Sequence, residues 1–386
     1  KLPPCAKHLK IYIYNLGSKW NVDLVREVEL HQGRSNCDWA RTPCAEVRQD
    51  KHYSHSRNYA GEVPMLFKFL SFPNIVSDPT QADLIIVPYL MRTHAFALGE
   101  PYGYPDKADK SKKAIRQLMG ELHLMSNATL RKRHVFMSSS DSVMLKSIPQ
   151  QMEDVLLLHY GPRRSRNELV MVPNDAGFGR SLEPLVHPAP DFMFYQAGDI
   201  NKHRHLMKYE LQRLQKDRPE LRIHHYTIGN HQPPFPLDLN STYALMSRSL
   251  LCPVMQGDLP WQHRFYDALV TGCVPLLVRY RKRNNNRMCD VWSYSSSSPP
   301  CIEDVYPFTA KVNYTEITVQ IDESSFRKGS FAEAIYALDR RELEAKRKRL
   351  DELRHLFVYD WTSTSYDASS AMIEDLCRVI NATASP

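Results

Sequence analysis

Short apolar runs recur along this chain between helical stretches, and that alternation restricts the fold more than any other feature. Ile11–Tyr14, Leu84–Val87, Val135–Met137, Val155–Leu158 and Leu169–Val172 are continuous runs of large apolar side chains, as strands covered on both faces must be. Between the second and third, the segment 106–125 sets Ile115, Leu118, Met119 and Leu122 on one helical stripe. Alternation of this kind requires a mostly parallel sheet.

Pro184, Pro188 and Pro190 interrupt the pattern, and a second alternating region follows. Phe192–Tyr195 predicts a strand, Lys202–Leu214 a helix and Ile223–Ile228 a strand. Beyond a turn at Pro233, Pro234 and Pro236 come a short helix near Tyr243, the strand Leu250–Val254, the helix Trp261–Val270 and the strand Val274–Val278. Phe331–Arg354 predicts one long charged helix, and Ser365–Ile380 a last helix that returns to the first half. The expected architecture is therefore α/β: a Rossmann-like domain over 1–183, a second over 191–354, and a segment 355–386 whose helix packs back on the first.

Charge and composition narrow the function classes. Fifty Lys and Arg face 43 Asp and Glu, a net of +7, and 42% of the 386 residues are hydrophobic, which excludes wholesale disorder. So mild a surplus, without an aromatic stacking motif, gives no support to nucleic-acid binding. No apolar run approaches the roughly 18 residues of a membrane span. Lys1–Cys5 has neither an apolar signal core nor an initiator Met, as expected of a mature or trimmed ectodomain.

The eight cysteines point the same way. Cys37 and Cys44 flank a polar loop and Cys289 and Cys301 a Ser- and Pro-rich one, so these are the expected disulfides. Cys5 and Cys377 can pair if the chain ends meet, whereas Cys252 and Cys273, in apolar runs, are expected as buried core thiols. Asn127, Asn240, Asn313 and Asn381 each begin an N-glycosylation sequon. Loop disulfides and sequons together place the chain in the secretory pathway.

Several suggestive patterns carry no chemistry. Gly177 and Gly179 lack the third glycine and the helix of a dinucleotide loop. The histidine pairs His52/His55, His203/His205 and His224/His225 lack metal-ligand spacing, and no Cys-x-x-Cys occurs. The basic run Arg279–Arg287 is expected in a loop that touches acceptor or a membrane surface. Lys346–Arg349 is expected on the solvated face of a helix.

The most informative segment is Leu250–Val278. An apolar strand runs into Gln256-Gly257-Asp258, and a helix then starts with Pro260 near its first position. The free amides of that start, with Arg264 one turn on, suit a diphosphate. Asp267 lies three residues after Arg264, on nearly the same face. A carboxylate there can accept hydrogen bonds from the two ribose hydroxyls, although the spacing by itself favours an i to i+3 surface ion pair.

This segment resembles the C-terminal signature of the exostosin-like glycosyltransferases, glycosyltransferase family 47. The matching residues are Leu251–Pro253, Gly257, Arg264-Phe-Tyr-Asp-Ala-Leu269 and Gly272-Cys-Val-Pro-Leu276, with Asp267 where the family usually has Glu. Asp78–Pro88, Tyr59–Glu62, His134 with Asp141, Phe194–Lys208 and Tyr366–Ala368 are similar to further family segments, in family order. The resemblance implies a GT-B fold, in which the acceptor approaches the N-terminal domain and the nucleotide sugar binds the C-terminal one. It also implies inversion at the anomeric carbon and a Golgi-lumen, type II membrane protein whose anchor is absent from this chain. No Asp-x-Asp occurs, so no divalent metal or other cofactor is expected. Arg204 and Arg264 would hold the leaving diphosphate, with Gly257, Asp258 and Asp267 completing the nucleotide site. Asp141, after a strand that should end at the cleft, is the expected base, with Asp258 and Glu62 as alternatives. The expected partners are a UDP-sugar donor, a polysaccharide or glycoprotein glycan acceptor, and a related transferase subunit or a second copy of the chain. A non-catalytic subunit of the same fold, which binds glycan or supports a partner transferase, is the second expectation.

Overall fold

A computed structural model describes residues 2–21, 23–24, 61–97, 109–139, 154–160, 163, 167–172, 192–199, 202–228, 239–254, 263–284, 287–291, 301–322, 324–325, 329–359 and 365–384. The chain divides into two compact units. The first holds residues 1–181 and 358–386, the second 182–357.

In the first unit, β1 (Ile11–Ile13), β2 (Leu84–Ile86), β3 (His134–Ser138), β4 (Leu156–His159) and β5 (Glu168–Val170) lie side by side in chain order, all parallel. The period of two along each strand sorts the side chains. Ile85, Phe136 and Leu157 share a core with Leu118 of α3 (Asp109–Glu121) and with Leu122 just beyond it. α1 (Glu62–Leu70) precedes β2, and α2 (Met91–Ala97) follows it.

The second unit contains β6 (Phe192–Asp199), β7 (Ile223–Ile228), β8 (Ser249–Val254), β9 (Val274–Asn284), β10 (Arg287–Val291) and β11 (Val319–Asp322). Its parallel strands run in the order β7-β6-β8-β9-β11. The chain steps outward from β6 to β7 and then crosses back to β8, so its winding direction reverses between β6 and β8. The run Arg279–Arg287, expected as a loop, is instead the end of β9 and its antiparallel hairpin with β10. α4 (Lys202–Asp217), α5 (Leu239–Ser247) and α6 (His263–Thr271) connect the strands. The long helix expected over Phe331–Arg354 is two: α7 (Phe331–Tyr336) and α8 (Arg340–Leu353). Asp339 breaks them apart, since its side chain accepts from Arg341 N at 2.9 Å and so opens a new helix.

The last helix, α9 (Ala368–Ala384), belongs to the first unit, where it packs on α1 and β5. Asp367 caps it, accepting from Ser370 N at 2.9 Å and Ser370 Oγ at 2.7 Å, and also meets Lys68 of α1 at 3.4 Å. Both members of that ion pair are buried. A disulfide joins Cys5 to Cys377 on the same helix. A second disulfide corrects the expectation of core thiols: Cys252 of β8 is bonded to Cys273, just before β9. The register of the two parallel strands sets Cys252 beside Pro275, two residues beyond Cys273, and the Cα atoms of the bonded pair lie 5.7 Å apart, within bridging distance. Cys301 is also disulfide-bonded. The expected pair Cys37–Cys44 lies outside the described residues.

Candidate functional site

Helix α6 lies between β8 and β9 in the chain, and its sequence dictates how it sits. Phe265, Tyr266, Leu269 and Val270 form one buried face. Phe265 stacks on Tyr306 at 4.4 Å between ring centroids, Tyr306 stacks on Tyr314 at 4.4 Å, and Tyr266 meets Phe357 at 6.3 Å. Ala268 packs against the Cys252–Cys273 disulfide and Tyr195. At its end Gly272 adopts φ 71°, a left-handed conformation in which any side chain is strained. It closes the helix with bonds from Gly272 N to Leu269 O and from Cys273 N to Ala268 O, the Schellman pattern.

That seat leaves Arg264 and Asp267 on the remaining face. The ion pair their spacing allows is not formed. Asp267 Oδ1 instead accepts from the Tyr243 hydroxyl of α5 at 2.7 Å. Among the described residues Arg264 has no hydrogen-bond partner, and its Nη1 is nevertheless shielded from solvent. A shielded guanidinium nitrogen without an acceptor among the described residues is costly, and an anion would satisfy it. Its position agrees. β6 and β8 flank the reversal of winding in their sheet, and in open α/β sheets ligands collect outside the carboxyl ends of the strands at such a switch point. α6 is the next described element after β8, and α4, which carries Arg204 as its third residue, the next after β6.

A sequence profile for the exostosin GT47 domain matches residues 5–334. The chain belongs to the exostosin GT47 family. It is a glycosyltransferase domain of two Rossmann-like α/β units, as the family resemblance implied. No curated protein matches its sequence. Among solved structures, it is similar to the spinosyn rhamnosyltransferase SpnG complexed with thymidine diphosphate, at 10% identity over 95% of this chain and 100% of that one, TM-score 0.33. It is also similar to the glycotransferase of kitacinnamycin, at 12% identity over 96% and 98%, TM-score 0.32. Likenesses this distant say nothing about site or substrate, and the family rests on the profile match.

Within this exostosin domain, the structure brings together only part of the expected site. Arg264 and Asp267 share one face of α6. Arg204 lies in the first turn of α4, its side chain outside the described residues, and Gly257, Asp258 and Asp141 lie outside them altogether. Glu62, an alternative base, is fully buried in the first unit. Its carboxyl accepts from Thr93 N and Thr93 Oγ1 at 2.9 Å, Ser139 N at 3.1 Å and Arg92 N at 3.3 Å. Burial raises its pKa despite those donors. The group thus ties the start of α2 to the chain leaving β3, and it has no contact with solvent through which to take a proton from an acceptor. His134 is likewise structural. Its Nδ1 faces the Leu130 carbonyl at 2.8 Å and so carries the proton, which leaves Nε2 to accept from Tyr14 Oη at 3.0 Å.

Two residues escaped the sequence analysis of this exostosin domain. Tyr243 emits no signal beyond an apolar position on a short helix. Arg347 was expected on a solvated face but is 6% exposed. Its Nε donates to Gly272 O and its Nη2 to Ser247 O, both at 3.1 Å, so one guanidinium satisfies the carboxyl ends of α5 and α6 together. Among the described residues no three His, Cys, Asp or Glu side chains converge as a metal-ligand set.

Proposed function

We propose that this domain is an inverting, metal-independent glycosyltransferase that moves a sugar from a UDP-sugar to a polysaccharide or glycoprotein glycan. The observation that carries the proposal is the shielded Nη1 of Arg264, without a hydrogen-bond partner among the described residues, on the helix that comes after the switch-point strand β8. The acceptor hydroxyl oxygen attacks the anomeric carbon from the side opposite the diphosphate. The new C–O bond forms as the bond to the diphosphate oxygen breaks, and Asp141 takes the hydroxyl proton. Charge then develops on the leaving diphosphate, where Arg264, Arg204 and the first amides of α6 meet it, with Gly257 and Asp258 in the approach to that helix. Asp267 binds the ribose.

The Cys5–Cys377 and Cys252–Cys273 disulfides support an oxidising compartment, which we propose to be the Golgi lumen. The exposed sequon residues Asn127, Asn313 and Asn381 are compatible with glycosylation there. Calorimetric titration with UDP tests the proposal. The wild type should bind and Arg264→Ala should lose about two orders of magnitude in affinity; no binding by the wild type, or equal binding by both, overturns it. Hydrolysis assays over a panel of UDP-sugars then name the donor.

A further inference from the structure

We infer that Tyr243 is the positioning residue that makes this nucleotide site select for ribose. The inference rests on the reading of Arg264 and Asp267 as the donor site and adds to it a residue that the α6 motif does not contain. Asp267 has two side-chain torsions, and the second is broad and soft. The Tyr243 hydroxyl restricts that torsion with a 2.7 Å bond to Oδ1.

The phenol itself has nowhere to go. Its ring is 4% exposed and packed among Tyr195, Met246, Cys252, Ala268 and Cys273. Two of these neighbours are the disulfide that joins β8 to the start of β9. A third, Ala268, is the residue after Asp267 on the same helix. The hydroxyl and the carboxylate are therefore fixed to one block, and the carboxylate plane is set before any nucleotide arrives. A hydrogen bond to a charged acceptor from so rigid a donor is of the stronger kind. Pre-orientation of this sort turns directly into discrimination, because a sugar lacking its hydroxyls leaves the carboxylate unmatched.

The test compares UDP with 2′,3′-dideoxyuridine diphosphate, by calorimetry, in the wild type, Tyr243→Phe, Asp267→Asn, the double variant and Arg264→Ala. Tyr243→Phe keeps the ring and its packing and removes only the hydroxyl. It should weaken UDP by about tenfold, leave the dideoxy nucleotide unchanged, and add nothing in the Asp267→Asn background. Arg264→Ala, which acts on the diphosphate, should weaken both nucleotides alike. Unchanged UDP affinity in Tyr243→Phe overturns the inference. So does an equal loss for both nucleotides, which is the mark of a packing role. If the wild type binds no UDP, the donor-site reading falls and this inference falls with it, an outcome that is distinct because it appears before any variant is compared.

Discussion

Glu62 and Arg264 are both charged side chains withdrawn from solvent near the carboxyl edge of a parallel sheet, one in each unit, and they have opposite surroundings. Glu62 is saturated: four donors from α2 and the end of β3 converge on its carboxyl. Arg264 is unsaturated among the described residues, with Nη1 shielded and unmatched. The difference is between a carboxyl whose hydrogen bonds tie two elements together and a guanidinium nitrogen left without an acceptor among the described residues. Burial alone does not distinguish them, since both are sheltered.

The comparison is breakable at several points. Arg264→Ala should reduce glycosyl transfer by about 10²–10³-fold, the loss typical of one preorganised transition-state donor. Its melting temperature should stay near that of the wild type, because no partner among the described residues is lost. A large fall in melting temperature would make Arg264 a structural residue. Glu62→Ala should do the reverse, destabilising the first unit by about 3 kcal/mol as buried donors lose their acceptor. Urea unfolding measures this, and a variant as stable as the wild type would show the node to be dispensable. Replacing both Cys252 and Cys273 by Ser should cost about 2–3 kcal/mol in the second unit, in line with closure of a loop of this length, with nucleotide affinity weakened in parallel.

The smallest effect concerns pH. Burial depresses His94 to a pKa of about 4 from its ordinary 6.5, and lowers His134 as well. Groups depressed on folding contribute stability that is complete above their unfolded pKa and is lost as pH falls toward the folded one. The melting temperature of the first unit should therefore decline between about pH 6.5 and pH 4, and His94→Gln should flatten that decline. A profile unaltered by the substitution would remove His94 as a contributor.

The β/α alternation was legible because strands buried on both faces must be continuously apolar, and those runs survive any detail of packing. β11 was not: Val319–Asp322 alternates with polar residues, and its burial follows B-i-B-e along the strand. The hairpin β9–β10 was hidden for a related reason, since a run of Arg and Lys reads as solvent while it serves as a strand. Within the candidate site, the spacing of Arg264 and Asp267 showed that they share a helix face, whereas their reading as a nucleotide site came from the family resemblance. Tyr243 was invisible because its partner lies 24 residues away on another helix. Arg347 was hidden among Lys346, Lys348 and Arg349, because sequence shows charge without showing which member of a run turns inward. Cys252 and Cys273 looked like core thiols for the same reason, as only strand adjacency brings them together.

The Cys5–Cys377 bond has a bearing on the order of events during synthesis. It joins residues 372 apart, and the first unit takes in both its N-terminal segments and α9. On a ribosome that releases the chain from its N-terminus, that unit stays incomplete until position 377 has emerged. The second unit has all its residues by position 357. The later half of the chain is thus the earlier one able to finish folding, and the oxidation that seals the opening residues is a late step in maturation. The bond also keeps a chain cut anywhere between the two cysteines in one piece, so that only reduction would reveal the break on a gel.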